Sequence, residues 1–144
     1  MDISIIVPLF NEDESLGELA AWIEKVMIEN NFSYEIIMVD DGSNDNSWNV
    51  IETLSTKNPA IKGIKFRRNY GKSAALNVGF EAAKGEVIIT MDADFIEPLS
   101  EQSHSSLESR LRFTSPKGAI FQDNVFLFLK YVKPCLLDCI KHAG

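Results

Sequence analysis

Basic residues are scarce in this 144-residue chain: 14 Lys/Arg stand against 21 Asp/Glu, a formal net charge of −7. Nucleic-acid binding depends on neutralising backbone phosphates with Lys and Arg, so this balance excludes a nucleic-acid partner. Cysteine is nearly missing, with only Cys135 and Cys139, and Met1 leads straight into an apolar run with no basic n-region or cleavage site. Together these point to a reducing cytoplasm. The longest apolar stretch, Val125 to Ile140, is interrupted by Lys130, Lys133, Pro134 and Asp138. It falls short of the roughly 20 clean residues of a membrane helix, so the sequence encodes no transmembrane span. No GxGxxG follows the first apolar run, which excludes a dinucleotide dehydrogenase, and a P-loop ending at Gly71-Lys72-Ser73 would need glycine where Phe66 stands.

What is present is ordinary globular composition, 45% hydrophobic and 24% charged, in a length that favours one domain. The acidity is concentrated: residues 1–94 carry 8 Lys/Arg against 16 Asp/Glu, whereas residues 95–144 carry 6 against 5. Ile3 to Pro8 and Tyr34 to Val39 are continuous β-branched and apolar runs, the pattern of strands buried on both faces. Ile61 to Phe66 and Val87 to Met91 supply two more. Between them lie helical periods. Leu16, Leu19, Ala20, Ile23, Val26 and Met27 recur at three- and four-residue spacing, Trp48, Ile51 and Leu54 mark a second helix, and an Ala-rich third runs from Gly71-Lys72-Ser73 to near Gly85. Strand and helix alternate with short connections, which predicts an α/β fold with a parallel sheet covered by helices over residues 1–94. Residues 99–118 are serine-rich and aperiodic, and Val125 to Ile140 reads as one helix or a strand and a helix. Val125 to Leu129 is core or an oligomer contact. Cys135, Cys139 and His142 match no zinc spacing and read as core thiols and a surface histidine.

Ligands of open α/β sheets bind beyond the carboxyl ends of the strands. Those positions carry Phe10, Asn11 and Glu12 after the first strand, Asp40 and Asp41 after the second, Arg67 to Asn69 after the third, and Asp92, Ala93 and Asp94 after the fourth. β-Propensity asks for no carboxylates there. Asp92-Ala93-Asp94 spaces two carboxylates by one small residue, a pair that can share a hard divalent cation, Mg²⁺ or Mn²⁺, although strand-end aspartates also serve plain turns. Asp40-Asp41-Gly42-Ser43 reads either as a helix start capped by Ser43 or Asp45, or as a base reader in which Asp40 accepts a ring imino proton. Gly71-Lys72-Ser73 offers free N–H groups and a cation to an anion, or is an ordinary cap with a solvated lysine.

Taken together, IIVPLFNE (Ile5 to Glu12), YEIIMVDDGSNDNS (Tyr34 to Ser47), RRNYGKSAALNVGF (Arg67 to Phe80) and ITMDAD (Ile89 to Asp94) resemble family-2 glycosyltransferases of the GT-A fold. They look most like the branch that loads sugars onto polyprenyl phosphate, the dolichyl-phosphate mannose synthase type. The resemblance implies a Rossmann-like sheet and a nucleotide-sugar-binding donor half at residues 1–94. Pro8, Phe10 and Glu12 then hold the nucleotide, Asp40 the base, Asp92 and Ala93 the ribose side and Asp94 the metal, with Asp41 and Lys72 in the same site. It also implies a UDP- or GDP-linked sugar donor, a lipid-phosphate acceptor, a metal-dependent inverting reaction, and a cytoplasmic protein peripheral to the inner face of the membrane. The catalytic residue stays unassigned.

After Asp94 the motifs stop. Phe95-Ile96-Glu97-Pro98 puts an apolar Ile96 where the family has a glutamine, and residues 95–144 form a divergent tail with no recognisable acceptor half. The chain therefore reads as the product of a truncated or frame-disrupted gene, or as one with an unusual terminal segment. The alternative function is a non-catalytic, nucleotide-binding remnant. A phospho-accepting receiver domain also clusters aspartates on a doubly wound sheet, but sets its acidic pair after the first strand, whereas here the pair follows the second.

Overall fold

The first strand, β1 (Ile3–Leu9), is buried along its whole length, as its unbroken apolar run requires. The computed structural model describes residues 1–93 and the backbone of residues 112–114 and 120–121. β1 pairs in parallel with β2 (Tyr34–Asp40) on one side, from Ile3 opposite Tyr34 to Leu9 opposite Asp40. On the other side it pairs in parallel with β4 (Val87–Thr90), from Ile3 opposite Val87 to Ile6 opposite Thr90. β3 (Ile61–Lys65) adds to β2, again in parallel. Two short strands, β5 (Arg112–Thr114) and β6 (Ile120–Phe121), extend the far side antiparallel and complete the order β3-β2-β1-β4-β5-β6.

The helices alternate with the strands as the periodicity predicts: α1 (Leu16–Glu29), α2 (Ser47–Lys57) and α3 (Lys72–Ala82). Helix α1 buries Leu16, Leu19, Ala20, Ile23, Val26 and Met27, the six residues whose spacing marks it in the sequence. Together with Ile51 of α2 they pack on Ile3, Ile5, Val7 and Leu9 of β1 and on Ile36 and Met38 of β2. Helix α3 covers the opposite face through Ala75 against Ile37 and Val39. It lies very close to the sheet. A Cβ added at Gly79 would stand 2.4 Å from the Ile6 side chain, which explains the glycine at this position.

Two expectations need correction. The third strand is not buried on both faces: Lys62, Gly63 and Lys65 are exposed, because β3 lies at the sheet edge, where charged side chains discourage pairing with another chain. The parallel sheet expected over residues 1–94 is present as β1–β4, and only β5 and β6, beyond that range, join it antiparallel. The span 99–118, aperiodic in sequence, contains β5, since a strand of three residues is too short to display alternation. Asp94, Phe95 to Pro98, Val125 to Ile140, Cys135, Cys139 and His142 lie outside the described residues.

The amino ends of the strands are tied by one buried carboxylate. Glu35 of β2 accepts hydrogen bonds from Ser4 Oγ (2.6 Å) and the Lys84 N–H (2.7 Å) on Oε1, and from Lys62 Nζ (2.5 Å) on Oε2. Ser4 Oγ in turn accepts from the Gly85 N–H at 2.7 Å, which fixes the turn into β4. Burial pushes the Glu35 carboxyl up, but the bonds from Lys62, Ser4 and Lys84 outweigh it and hold the pKa below the ordinary 4.5. Its ionised form therefore stabilises the fold above pH 4.5, and that contribution is lost as pH falls through the lower folded value. Glu35→Gln should cost about 1–3 kcal/mol at neutral pH and flatten this part of the acid-side decline, as measured by urea unfolding between pH 7 and pH 3.

Candidate functional site

Parallel pairing of β1, β2 and β4 points their carboxyl ends at one edge of the sheet, and a cleft of about 270 Å³ opens there. It is lined by Pro8, Leu9, Phe10 and Glu12 from the end of β1, Asp41 from β2, Lys72 from the start of α3, and Asp92 and Ala93 from β4. Seven of the nine residues singled out in the sequence thus meet in one place. Leu9 is an addition, hidden in the sequence because it reads only as the last apolar residue of a strand.

The loops that form the rim are fastened to one another. Asn11 takes a left-handed backbone (φ 54°); its N–H donates to Ser43 Oγ at 2.9 Å and its Oδ1 accepts from the Asn44 N–H at 2.8 Å. The Glu12 N–H donates to Ser47 Oγ at 3.0 Å and the Asp13 N–H to Asp45 Oδ2 at 3.3 Å. Three successive N–H groups of the first loop are therefore satisfied by side chains of the second. Ser43, one of the two expected caps, is engaged across the loops. The helix itself starts after Asn46 with no side-chain cap, and Asp45 Oδ1 accepts from the Ser47 N–H at 2.9 Å in a local turn.

The two adjacent aspartates do different things. Asp40 is fully buried; Oδ1 accepts from the Ser43 N–H at 2.8 Å, while the buried Oδ2 has no hydrogen-bond partner. It lies outside the lining of the cleft. Asp41 binds the third loop: Oδ1 accepts from the Tyr70 N–H at 2.7 Å and Oδ2 from the Gly71 N–H at 3.0 Å, while its own N–H donates to the Leu9 carbonyl at 2.9 Å. Between these loops Gly42 has φ +76°, and a Cβ there would lie 2.4 Å from the Arg68 carbonyl carbon. Only glycine permits both the left-handed backbone and that contact. The third loop ends in Tyr70, with Phe66 edge-on at 5.6 Å and the Arg68 guanidinium over its ring at 4.8 Å. Among the described residues, Tyr70 and Phe10 are the exposed large aromatics of this edge.

Lys72 and Asp92 form an ion pair across the cleft between Nζ and Oδ1. Among the described residues no group of three metal-binding side chains occurs. Asp92 and Glu12 nevertheless present hard oxygen donors of the kind Mg²⁺ and Mn²⁺ take, and the Lys72 ammonium already seated on Asp92 shows that this position draws positive charge. Asp94, the other carboxylate of the pair, lies outside the described residues.

Comparison with known proteins bears on this cleft. Residues 4–99 match the family described as Glycosyl transferase family 2. The chain is 41% identical over 100 residues to an undecaprenyl-phosphate 4-deoxy-4-formamido-L-arabinose transferase of Pseudomonas fluorescens, covering 69% of this chain and 29% of that protein. The Aeromonas hydrophila protein of the same name is 37% identical over 100 residues, covering 69% and 31%. The chain thus spans about three-tenths of the length of these curated relatives. Among solved structures it is similar to Staphylococcus aureus TarS 1–349 in complex with UDP (28% identity, TM-score 0.54, 65% of this chain and 28% of that one). It is also similar to the mannosyltransferase PcManGT of Pyrobaculum calidifontis in complex with GDP-Man and Mn²⁺ (25% identity, TM-score 0.53, 67% and 28%). A four-stranded parallel sheet with flanking helices, four strand ends facing one edge and a family match across all of them lead to one conclusion: this chain belongs to glycosyl transferase family 2 and has its GT-A fold.

Proposed function

We propose that residues 1–94 are the donor half of a glycosyltransferase that binds a UDP- or GDP-linked sugar and passes the sugar to polyprenyl phosphate at the inner face of the membrane. The observation that carries this reading is the cleft, in which Pro8, Phe10, Glu12, Asp41, Lys72, Asp92 and Ala93 converge from four separate segments. The complexes of TarS with UDP and of PcManGT with GDP-Man and Mn²⁺ support the donor class. The names of the curated relatives support the acceptor class.

In this reading Pro8, Phe10 and Glu12 hold the nucleotide, Asp92 and Ala93 lie on the ribose side, and Lys72 faces the diphosphate. Asp40 reads the base: its unpaired Oδ2 lacks a donor, and a ring imino N–H of a pyrimidine or guanine supplies one. Because Asp40 is fully covered, that contact requires the covering atoms to give way. Asp92 and Asp94 would hold a divalent cation, which would supply positive charge to the leaving nucleoside diphosphate. The acceptor oxygen forms its bond to the anomeric carbon from the face opposite the diphosphate, whose bond to that carbon breaks, so configuration inverts. A lipid phosphate arrives already ionised and needs no protein base, whereas a hydroxyl acceptor would need one.

Three outcomes follow for the intact chain and its variants. UDP or GDP with Mn²⁺ or Mg²⁺ should raise the thermal midpoint, by an amount equivalent to about 2.7 kcal/mol at one hundred times Kd, and EDTA should remove most of the rise. Asp94→Asn should diminish this cation-dependent stabilisation more than Lys72→Ala does; equal stabilisation with EDTA, or the reverse ranking, would move the diphosphate anchor to the start of α3. Asp41→Ala removes the acceptor of the Tyr70 and Gly71 N–H groups and should lower stability by about 2 kcal/mol, with donor affinity down about tenfold because the loop that positions Lys72 is released. Calorimetric titration with UDP and GDP checks the second figure, and unchanged affinity would show that the site does not depend on that loop.

A further inference from the structure

The charged groups lining the cleft are unequal in freedom. Asp41 is committed to two backbone N–H groups of the third loop. Asp92 sits just beyond β4, next to Met91, whose N–H donates to the Ile6 carbonyl at 2.9 Å. Among the described residues that line the cleft, Lys72 is the only basic one. Its side chain is 61% exposed against 35% for Asp92, and it hangs by a flexible four-carbon stem from the first turn of α3. Of the two partners in the ion pair, the lysine is the one that can move.

We propose that Lys72 is a built-in counter-ion of Asp92 that transfers to the donor's diphosphate when the donor binds, so that nucleotide and divalent cation enter the cleft cooperatively. This inference rests on the donor-site reading of the same cleft. With the cleft empty, Lys72 neutralises Asp92, and a divalent cation must displace an ammonium before it gains that carboxylate. A diphosphate presents several anionic oxygens to the same ammonium and is the stronger partner for it. Once Lys72 turns to the diphosphate, Asp92 is left without a counter-charge and becomes an available cation ligand. Linkage makes the effect reciprocal: whatever factor the nucleotide adds to cation affinity, the cation adds to nucleotide affinity. Asp41 has a place in this scheme, since its grip on Tyr70 and Gly71 keeps the root of Lys72 still while the stem swings.

The test is Mn²⁺ binding to the intact chain without nucleotide, followed by electron paramagnetic resonance of free Mn²⁺, for wild type, Lys72→Met, Lys72→Gln, Lys72→Arg and Lys72→Met/Asp92→Asn. Removing the internal cation should tighten Mn²⁺ about fivefold in the Met and Gln variants, the size of effect expected of a half-exposed ion pair. Lys72→Arg should stay near wild type, and the gain should vanish when Asp92 is also replaced. Two uncharged variants guard against one failing to fold, which circular dichroism reports. In parallel, thermal shifts of wild type with Mn²⁺ and UDP or GDP report on the donor site itself. If neither uncharged variant binds Mn²⁺ more tightly while wild type still responds to a nucleotide, the hand-over is wrong and the donor site stands. If wild type responds to neither nucleotide, the donor-site reading fails and the hand-over falls with it.

Discussion

The parallel pairing of β1 with β2 and with β4 is the constraint from which the remaining architecture follows. A parallel ladder forces every connection to return along a helix to the starting end, so each strand leaves the sheet at the same edge. Because β1 is buried along its length and flanked on both sides, its direction and register cannot drift without exposing Ile3, Ile5 and Val7. Once β1 is fixed, the residues just beyond four strands are neighbours in space despite their distance in sequence. The cleft is a by-product of that geometry, and its chemistry comes from which side chains occupy the strand ends.

The rim is held by side chains that serve backbone rather than ligand. Asn11, Ser43, Ser47 and Asp41 satisfy N–H groups of a neighbouring loop, and Gly42 allows two loops to touch. Such cross-loop bonds replace the regular ladder where the chain leaves the sheet, so that groups otherwise open to water become a rigid frame. The two ends of the sheet thereby acquire different characters. At the amino edge a single carboxylate, Glu35, gathers three partners, from β1, β3 and the turn into β4.

Most of this was legible in the sequence, for identifiable reasons. Buried parallel strands announce themselves as unbroken apolar runs, and the six core residues of α1 share one face, so element type and order up to β4 could be read directly. The cleft carboxylates Glu12, Asp41 and Asp92 were legible because β-propensity asks for none at a strand end, Lys72 because it opens a helix, and Pro8, Phe10 and Ala93 through the family resemblance. The division of labour between Asp40 and Asp41 was not. Adjacent aspartates look alike in sequence, and only the fold shows one buried with an idle oxygen and the other spent on the third loop. The exposure of β3 was hidden because position at a sheet edge is a property of the whole topology. β5 was hidden because three residues carry no period.

The same topology spaces its pairings unequally along the chain. β1, β2 and β3 pair with strands that are near in sequence, each closed by one intervening helix, whereas β4 reaches β1 only by bringing Val87 back to Ile3. Closing a loop grows more costly in entropy with its length, and pairings that are distant along the chain tend to set the pace of folding. By loop-closure entropy, the pairing that carries Asp92 to the cleft is the costliest of the parallel sheet. Without β4 in place Lys72 has no Asp92 beside it, and one wall of the cleft is missing. The acidic wall of the cleft thus depends on the longest closure in the parallel sheet.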